Sequence, residues 1–235
     1  QLKERVTGKV KSITMCGLLK EDEVLNHAIE FTGNGIASLT VEERLTIANM
    51  TTEWGALAGV FPIDRVTISW LKNRIELIKK RGLEGVTSDP SDSGIHPRMN
   101  DQRLLDLEEN VLSADDDAFF TKEITFDLSS VQPHVSGPNS VKTMTSIAEM
   151  KEKNLRINKA YLVSCVNSRL DDLSQAAKMV KNKKIADHVK FYVAAASSEV
   201  QKASESRGDW KTLLDAGAIP LPPGCGPCIG LGAGL

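Results

Sequence analysis

Lys159-Ala160-Tyr161-Leu162-Val163-Ser164-Cys165-Val166-Asn167-Ser168-Arg169-Leu170-Asp171 is the stretch on which the fold turns. Residues 159–164 read as a strand, and Leu170, Leu173, Ala177 and Val180 recur at helical spacing. A second strand is expected over 189–196, then helix over 198–214 with a break near Gly208. Strand–helix–strand–helix implies a parallel sheet with right-handed crossovers, an α/β fold. In such sheets ligands sit beyond the carboxyl ends of the strands, and Cys165 lies at such an end. Ser168-Arg169-Leu170-Asp171 has the S-x-x-D form of a helix cap. The helix N-terminus it opens would favour a thiolate at Cys165, while the plainer reading is a buried structural cysteine. Asn167 adds an amide donor beside it.

Further along the chain, Pro222-Pro223-Gly224-Cys225-Gly226-Pro227-Cys228 offers two thiols separated by two turn-forming residues. Three readings stay open on local evidence. A thioredoxin-like dithiol uses the same letters, but there the motif opens a helix, and Gly230, Gly232 and Gly234 argue against one here. A structural zinc site wants four Cys or His ligands, with His188 the one paper candidate for the fourth. An iron–sulfur site with one iron left open needs only Cys165, Cys225 and Cys228. Cys16, in Thr14-Met15-Cys16-Gly17-Leu18-Leu19, reads as a small buried core residue.

Upstream the rhythm is helical. Residues 21–31 read as a short helix with Val24, Leu25, Ala28 and Ile29 on one face, stopped by Thr32-Gly33-Asn34-Gly35. Thr40-Val41-Glu42-Glu43 is a capping box opening a helix expected to run to about Val60. On it Leu45, Asn49, Glu53 and Leu57 form one i, i+4 row, a carboxamide and a carboxylate between leucines. The plainer reading of Glu53 is a solvated helix edge. A third helix is expected over 67–81, with Trp70, Leu71, Ile75 and Ile78 as its apolar stripe. Residues 82–117, rich in Gly, Pro, Ser and Asp, read as a long surface loop, with Asp115-Asp116-Asp117 solvated. Residues 121–128 alternate like a strand. Pro133-His134-Val135-Ser136-Gly137-Pro138-Asn139 reads as a stiff connector, placing a boundary between a helix-rich α/β part, 1–130, and an α/β part carrying the cysteines, 131–235.

Net charge is −2 over 235 residues, which gives no reason to expect nucleic acid or a membrane surface as partner. No apolar run reaches the ~18–20 residues that span a bilayer. Four cysteines at this length suggest an intracellular metal or redox role rather than a disulfide framework. Gln1 is not an initiator methionine, and the C-x-x-C lies close to Leu235. The expectation is an internal part of a larger protein, with any targeting peptide outside it.

Asn49-Met50-x-x-Glu53-x-Gly55-Ala56, the Cys165-Val166-Asn167-Ser168 turn and the Gly224-Cys225-Gly226-Pro227-Cys228 turn, in this order, resemble the aconitase superfamily. Cys16-Gly17-Leu18, Asn26-His27-Ala28-Ile29-Glu30-Phe31 and Pro133-His134-Val135-Ser136-Gly137-Pro138 also fit, most like the family's fungal mitochondrial homoaconitase branch. The resemblance covers essentially the whole chain. It implies aconitase-like domains of three-layer α/β/α architecture around a parallel sheet. It implies one [4Fe-4S] cluster per subunit on Cys165, Cys225 and Cys228, with Asn49 and Asn167 hydrogen-bonding around it and Glu53 in the active site. The implied activity is a hydro-lyase reaction, reversible hydration of cis-homoaconitate to homoisocitrate in lysine formation. Aconitase and isopropylmalate isomerase are the runners-up, and a dithiol or zinc module the reading of another class. The implied setting is the mitochondrial matrix, a small tricarboxylate as substrate and a monomeric protein, without nucleic acid or membrane. Val166 stands where the family usually has Thr, which removes a hydroxyl. The family's Asp-Ser-His segment, its arginines after the second cysteine turn and its swivelling domain with the serine base have no counterpart in this sequence.

Overall fold

The parallel sheet is present, and its strands are short. In the computed structural model, which describes residues 8–82 and 94–232, strands β5 (Lys159–Leu162), β6 (Lys190–Val193) and β7 (Ile219–Pro220) lie parallel in that spatial order. Register pairs Tyr161 with Tyr192, whose rings stack with centroids 5.2 Å apart. Helices α6 (Leu170–Val180), α7 (Ser198–Arg207) and α8 (Asp209–Asp215) supply the connections. Gly208, at φ +78, separates α7 from α8 where the sequence places a break. Leu173, Ala177, Trp210 and Leu213 from the helices and Val193 and Ala195 from the sheet side form one buried cluster. Burying Leu173, Leu213 or Val193 contributes about 1.5–3 kcal/mol each. β7 was not expected from sequence: two residues carry no periodicity.

The cap of α6 sits one residue later than Ser168-x-x-Asp171 suggests. Arg169 is the N-cap residue, and its N–H donates to Asp172 Oδ2 at 3.1 Å. Ser168 is buried instead, and its Oγ has no hydrogen-bond partner among the described residues.

The upstream part departs more from expectation. Helix α1 (Gly8–Leu18) carries Cys16 into the core. Residues 21–31 are turns followed by a strand, β1 (Ala28–Glu30), which pairs in parallel with β2 (Ala58–Val60). Asp22 and Asn26 take left-handed backbone conformations, φ +61 and +60, which a helix does not admit. The capping box is real: Thr40 Oγ1 accepts from the Glu43 N–H, and Glu43 Oε2 accepts from the Thr40 N–H. Its helix, α2 (Val41–Met50), stops well short of Val60, passing into a 3-10 turn over Thr51–Trp54. Gly55, at φ +92, then turns the chain into β2. The Leu45–Asn49–Glu53–Leu57 row therefore ends with the helix, and Leu57 is 68% exposed.

Helix α3 (Arg65–Arg81) begins at Asp64, whose carboxylate accepts from the N–H groups of Val66 and Thr67. Ile75 and Ile78 are its buried stripe, with Trp70 half-buried and donating to Glu42 Oε1 at 3.0 Å. The expected loop over 82–117 contains a helix, α4 (Asp101–Glu109), capped by Asn100 and anchored by the buried Leu104. Gly85 and Pro90 of that stretch lie outside the described residues. Asp115-Asp116-Asp117 is exposed as expected. Residues 121–128 form no strand: all side chains there but Phe126 and Leu128 are exposed, and alternation without a partner strand does not make one. The proline-rich connector is instead half of a hairpin, β3 (His134–Ser136) antiparallel to β4 (Met144–Ser146), followed by α5 (Ile147–Glu152). No described helix is long and apolar enough to cross a membrane. The whole is an α/β structure.

Candidate functional site

Cys165 sits just past the carboxyl end of β5, in a tight turn. Ser164 holds φ +83, an unusual conformation for a residue with a side chain, and its Oγ accepts from the Val166 N–H at 3.3 Å. Val166 points into the upstream core around Trp54, Met50 and Ile47, and its carbonyl accepts from Thr46 Oγ1 at 3.4 Å. The residue that replaces the family's usual threonine is thus a packing residue. That anchorage brings α2 against the turn, and Asn49 Nδ2 donates to Cys165 Sγ at 3.8 Å. The contact joins residues more than a hundred positions apart in the chain.

The second cysteine turn hangs from the sheet. Leu221 N–H donates to the Val193 carbonyl at 2.8 Å and Gly224 N–H to that of Ala195 at 3.0 Å. Beyond it, Gly226–Ile229 forms a single 3-10 turn with Cys225 as N-cap. Among the described residues no α-helix follows the C-x-x-C, as the glycines suggest. Pro227 and Cys228 line a cleft of about 340 Å³ together with Lys9, Ser164 and Asn167. The two turns thus face each other across one opening beyond the carboxyl ends of parallel strands, where ligands of such sheets sit.

Cys165, Cys225 and Cys228 are free thiols, the first half-buried and the other two exposed. Soft sulfur donors of this kind suit iron–sulfur or zinc chemistry. Among the described residues, no three His, Cys, Asp or Glu side chains are gathered into one ligating group. The donor set fits a cluster; the sulfurs are on facing turns rather than drawn together. Asn167 lies in the cleft. Glu53 does not line it: it stands in the 3-10 turn after α2, half-buried, where its Oε2 accepts from Thr52 Oγ1 at 3.0 Å.

Cys16 stays apart from this chemistry. It is fully buried in α1, and the indole N–H of Trp54 donates to its sulfur at 2.7 Å. Burial pushes its thiol up to about 11 against the lowering effect of that indole, with the negative charge of Glu53 adding to the rise. It is a structural thiol.

Lys9 and Ser164 escaped the sequence reading. For Ser164 the carboxyl end of a parallel strand was signal enough to suspect the neighbourhood. Nothing local distinguishes Lys9, which reaches the cleft only because α1 packs on α2.

The model of the aconitase family (aconitate hydratase) matches residues 1–235, the whole chain. The mitochondrial homoaconitase of Mycosarcoma maydis is 55% identical over 235 residues, covering 100% of this chain and 32% of that protein. Those of Debaryomyces hansenii and Yarrowia lipolytica are 51% and 52% identical over the same coverage. The chain spans about a third of the length of these curated relatives.

Proposed function

The chain belongs to the aconitase family, and from that premise we propose that it serves homoaconitate hydration, the reversible addition of water to cis-homoaconitate to give homoisocitrate on the α-aminoadipate route to lysine. The substrate is a small tricarboxylate and the setting the mitochondrial matrix, as the names of its relatives suggest. The observation that carries this reading is the facing of two cysteine-bearing turns across one cleft in a chain that is 49–55% identical throughout to homoaconitases.

Family membership suggests an iron–sulfur cluster, and Cys165, Cys225 and Cys228 are the residues that would hold it, as a [4Fe-4S] group. When bound, such a group supplies a Lewis-acidic iron for hydroxyl chemistry. Asn49 orients Cys165 by donating to its sulfur, and Asn167 offers a second carboxamide at the cleft. Glu53 does not line this cleft, and its role, to hold or take the proton of the reacting water, rests on the family resemblance. Its Oε2 is fixed by Thr52 Oγ1, leaving Oε1 open among the described residues. In the full-length enzyme Glu53→Gln retains iron and sulfide and loses about 10²-fold or more in turnover; near-normal turnover refutes the role.

The deciding experiment is anaerobic iron and sulfide analysis of the full-length protein, followed by hydration assays with cis-homoaconitate against cis-aconitate. Iron and sulfide in cluster proportion with preference for cis-homoaconitate supports the reading. A colourless protein carrying zinc, or one whose activity survives Cys165→Ser, overturns it.

A further inference from the structure

The cleft beside Cys228 holds a charge that this chemistry leaves unassigned. Lys9, on the first turn of α1, lines the cleft with Ser164, Asn167 and Cys228. Its ammonium donates to the sulfur of the buried Met50 at 3.2 Å, and a thioether is a weak acceptor. Among the described residues no carboxylate pairs with it. The contrast with Lys11, two residues on, is sharp: that side chain is fully buried and neutralised by an ion pair with Glu43. A half-buried ammonium whose one hydrogen-bond partner among the described residues is a thioether is poorly compensated, and an anion entering the cleft would complete it. Asn167 adds a carboxamide at the same opening. Ser164, whose backbone sits in a sparsely populated conformation at the end of β5, shapes the cleft wall.

We propose that Lys9 is a binding residue for one carboxylate of the polycarboxylic substrate, with the Asn167 amide as a second donor. This rests on the reading of the cleft as the substrate site of an aconitase-family hydratase. Lys9 positions the anion and takes no part in proton transfer.

The test uses the full-length protein, anaerobically prepared, with Lys9→Met and Lys9→Arg beside the unmodified form. The probe is butane-1,2,4-tricarboxylate, the saturated skeleton of homoaconitate, which cannot be hydrated; its binding is read by calorimetry alongside iron and sulfide content. Lys9→Met is expected to weaken binding by roughly 10- to 100-fold, the worth of a hydrogen bond to a charged group. KM for cis-homoaconitate rises with it while kcat changes less, Lys9→Arg recovers most of the binding, and iron and sulfide stay equal in all three proteins. Unchanged binding in Lys9→Met overturns the proposal. So does weakened binding accompanied by loss of iron and sulfide, which would make Lys9 a support of the cysteine turns. Should Lys9→Met not fold, Lys9→Gln stands in for it. An unmodified protein without iron and sulfide refutes the proposed function instead, and is read independently of any Lys9 variant.

Discussion

Arg44 is nearly inaccessible, and its guanidinium is held by both carboxylate oxygens of Asp64, at 2.8 and 2.6 Å, with Ile36 and Thr67 as further acceptors. That guanidinium, with the N–H groups of Thr67 and Val66, holds the Asp64 carboxyl down at about 2. A carboxyl depressed on folding adds stability above its ordinary range and loses it as pH falls through its folded value. Asp64→Asn, which strands the buried cation, is expected to cost roughly 3 kcal/mol near neutrality. Urea unfolding should show the two proteins converging as pH falls from about 4 towards 2; a constant gap would show that the pair is not the cause. The cysteines separate by the same kind of reasoning. With the protein free of any cluster, iodoacetamide at pH 8 should label Cys225 and Cys228 and spare Cys16, whose thiol is buried and pushed up to about 11. Mass spectrometry decides it, and early labelling of Cys16 would contradict its place in the core.

Among the elements, the packing of β2 on α2 explains why the helix opened by Thr40 cannot run to Val60. A methyl added at Gly59 would meet Thr51 Cγ2 at 2.7 Å and the Ala48 Cα at 3.1 Å, and backbone cannot yield cheaply. Gly59→Ala should lower stability by about 1–3 kcal/mol in urea unfolding, and a neutral result would mean that β2 does not lie so close. What was legible in the sequence followed from local rules. The Thr40 box gives the start of α2 though not its end, and the stripe of Ile75 and Ile78 and the spacing of Leu173 and Ala177 mark helices, because caps and amphipathic faces are written within a few residues. The strands β1, β3 and β7 were not legible. Each has two or three residues and exists only through a partner outside its own segment, as Ala28 does through Ala58 and His134 through Ser146. The converse error at 121–128 has the same root, since alternation specifies a strand only where another strand receives it. The Asn49–Cys165 contact joins residues 116 positions apart, and Lys9 arrives at the cleft through helix packing; no local pattern encodes either.

Taken as a whole, the molecule joins its upstream core to its sheet through the turn that bears Cys165. Val166 packs under Trp54, Thr46 bonds its carbonyl, and Glu199 of α7 forms an ion pair with Arg74 and lies 3.9 Å from Arg81, both on α3. The ion pairs are partly exposed and add at most ~1 kcal/mol; the packed turn is the stronger tie. Variants keeping Trp54 alone or Trp210 alone as fluorophore should therefore unfold at one urea midpoint. Two separated midpoints would show that the tie is too weak to couple the cores.

The position of Val166, with Cys165 before it and Asn167 after it, has a practical consequence. Enlarging or shrinking its side chain to improve heat tolerance would tug on the neighbouring sulfur and amide at once. Laboratory selection for hardier variants at this spot would then sort, unasked, for those that leave the mouth of the cleft undisturbed.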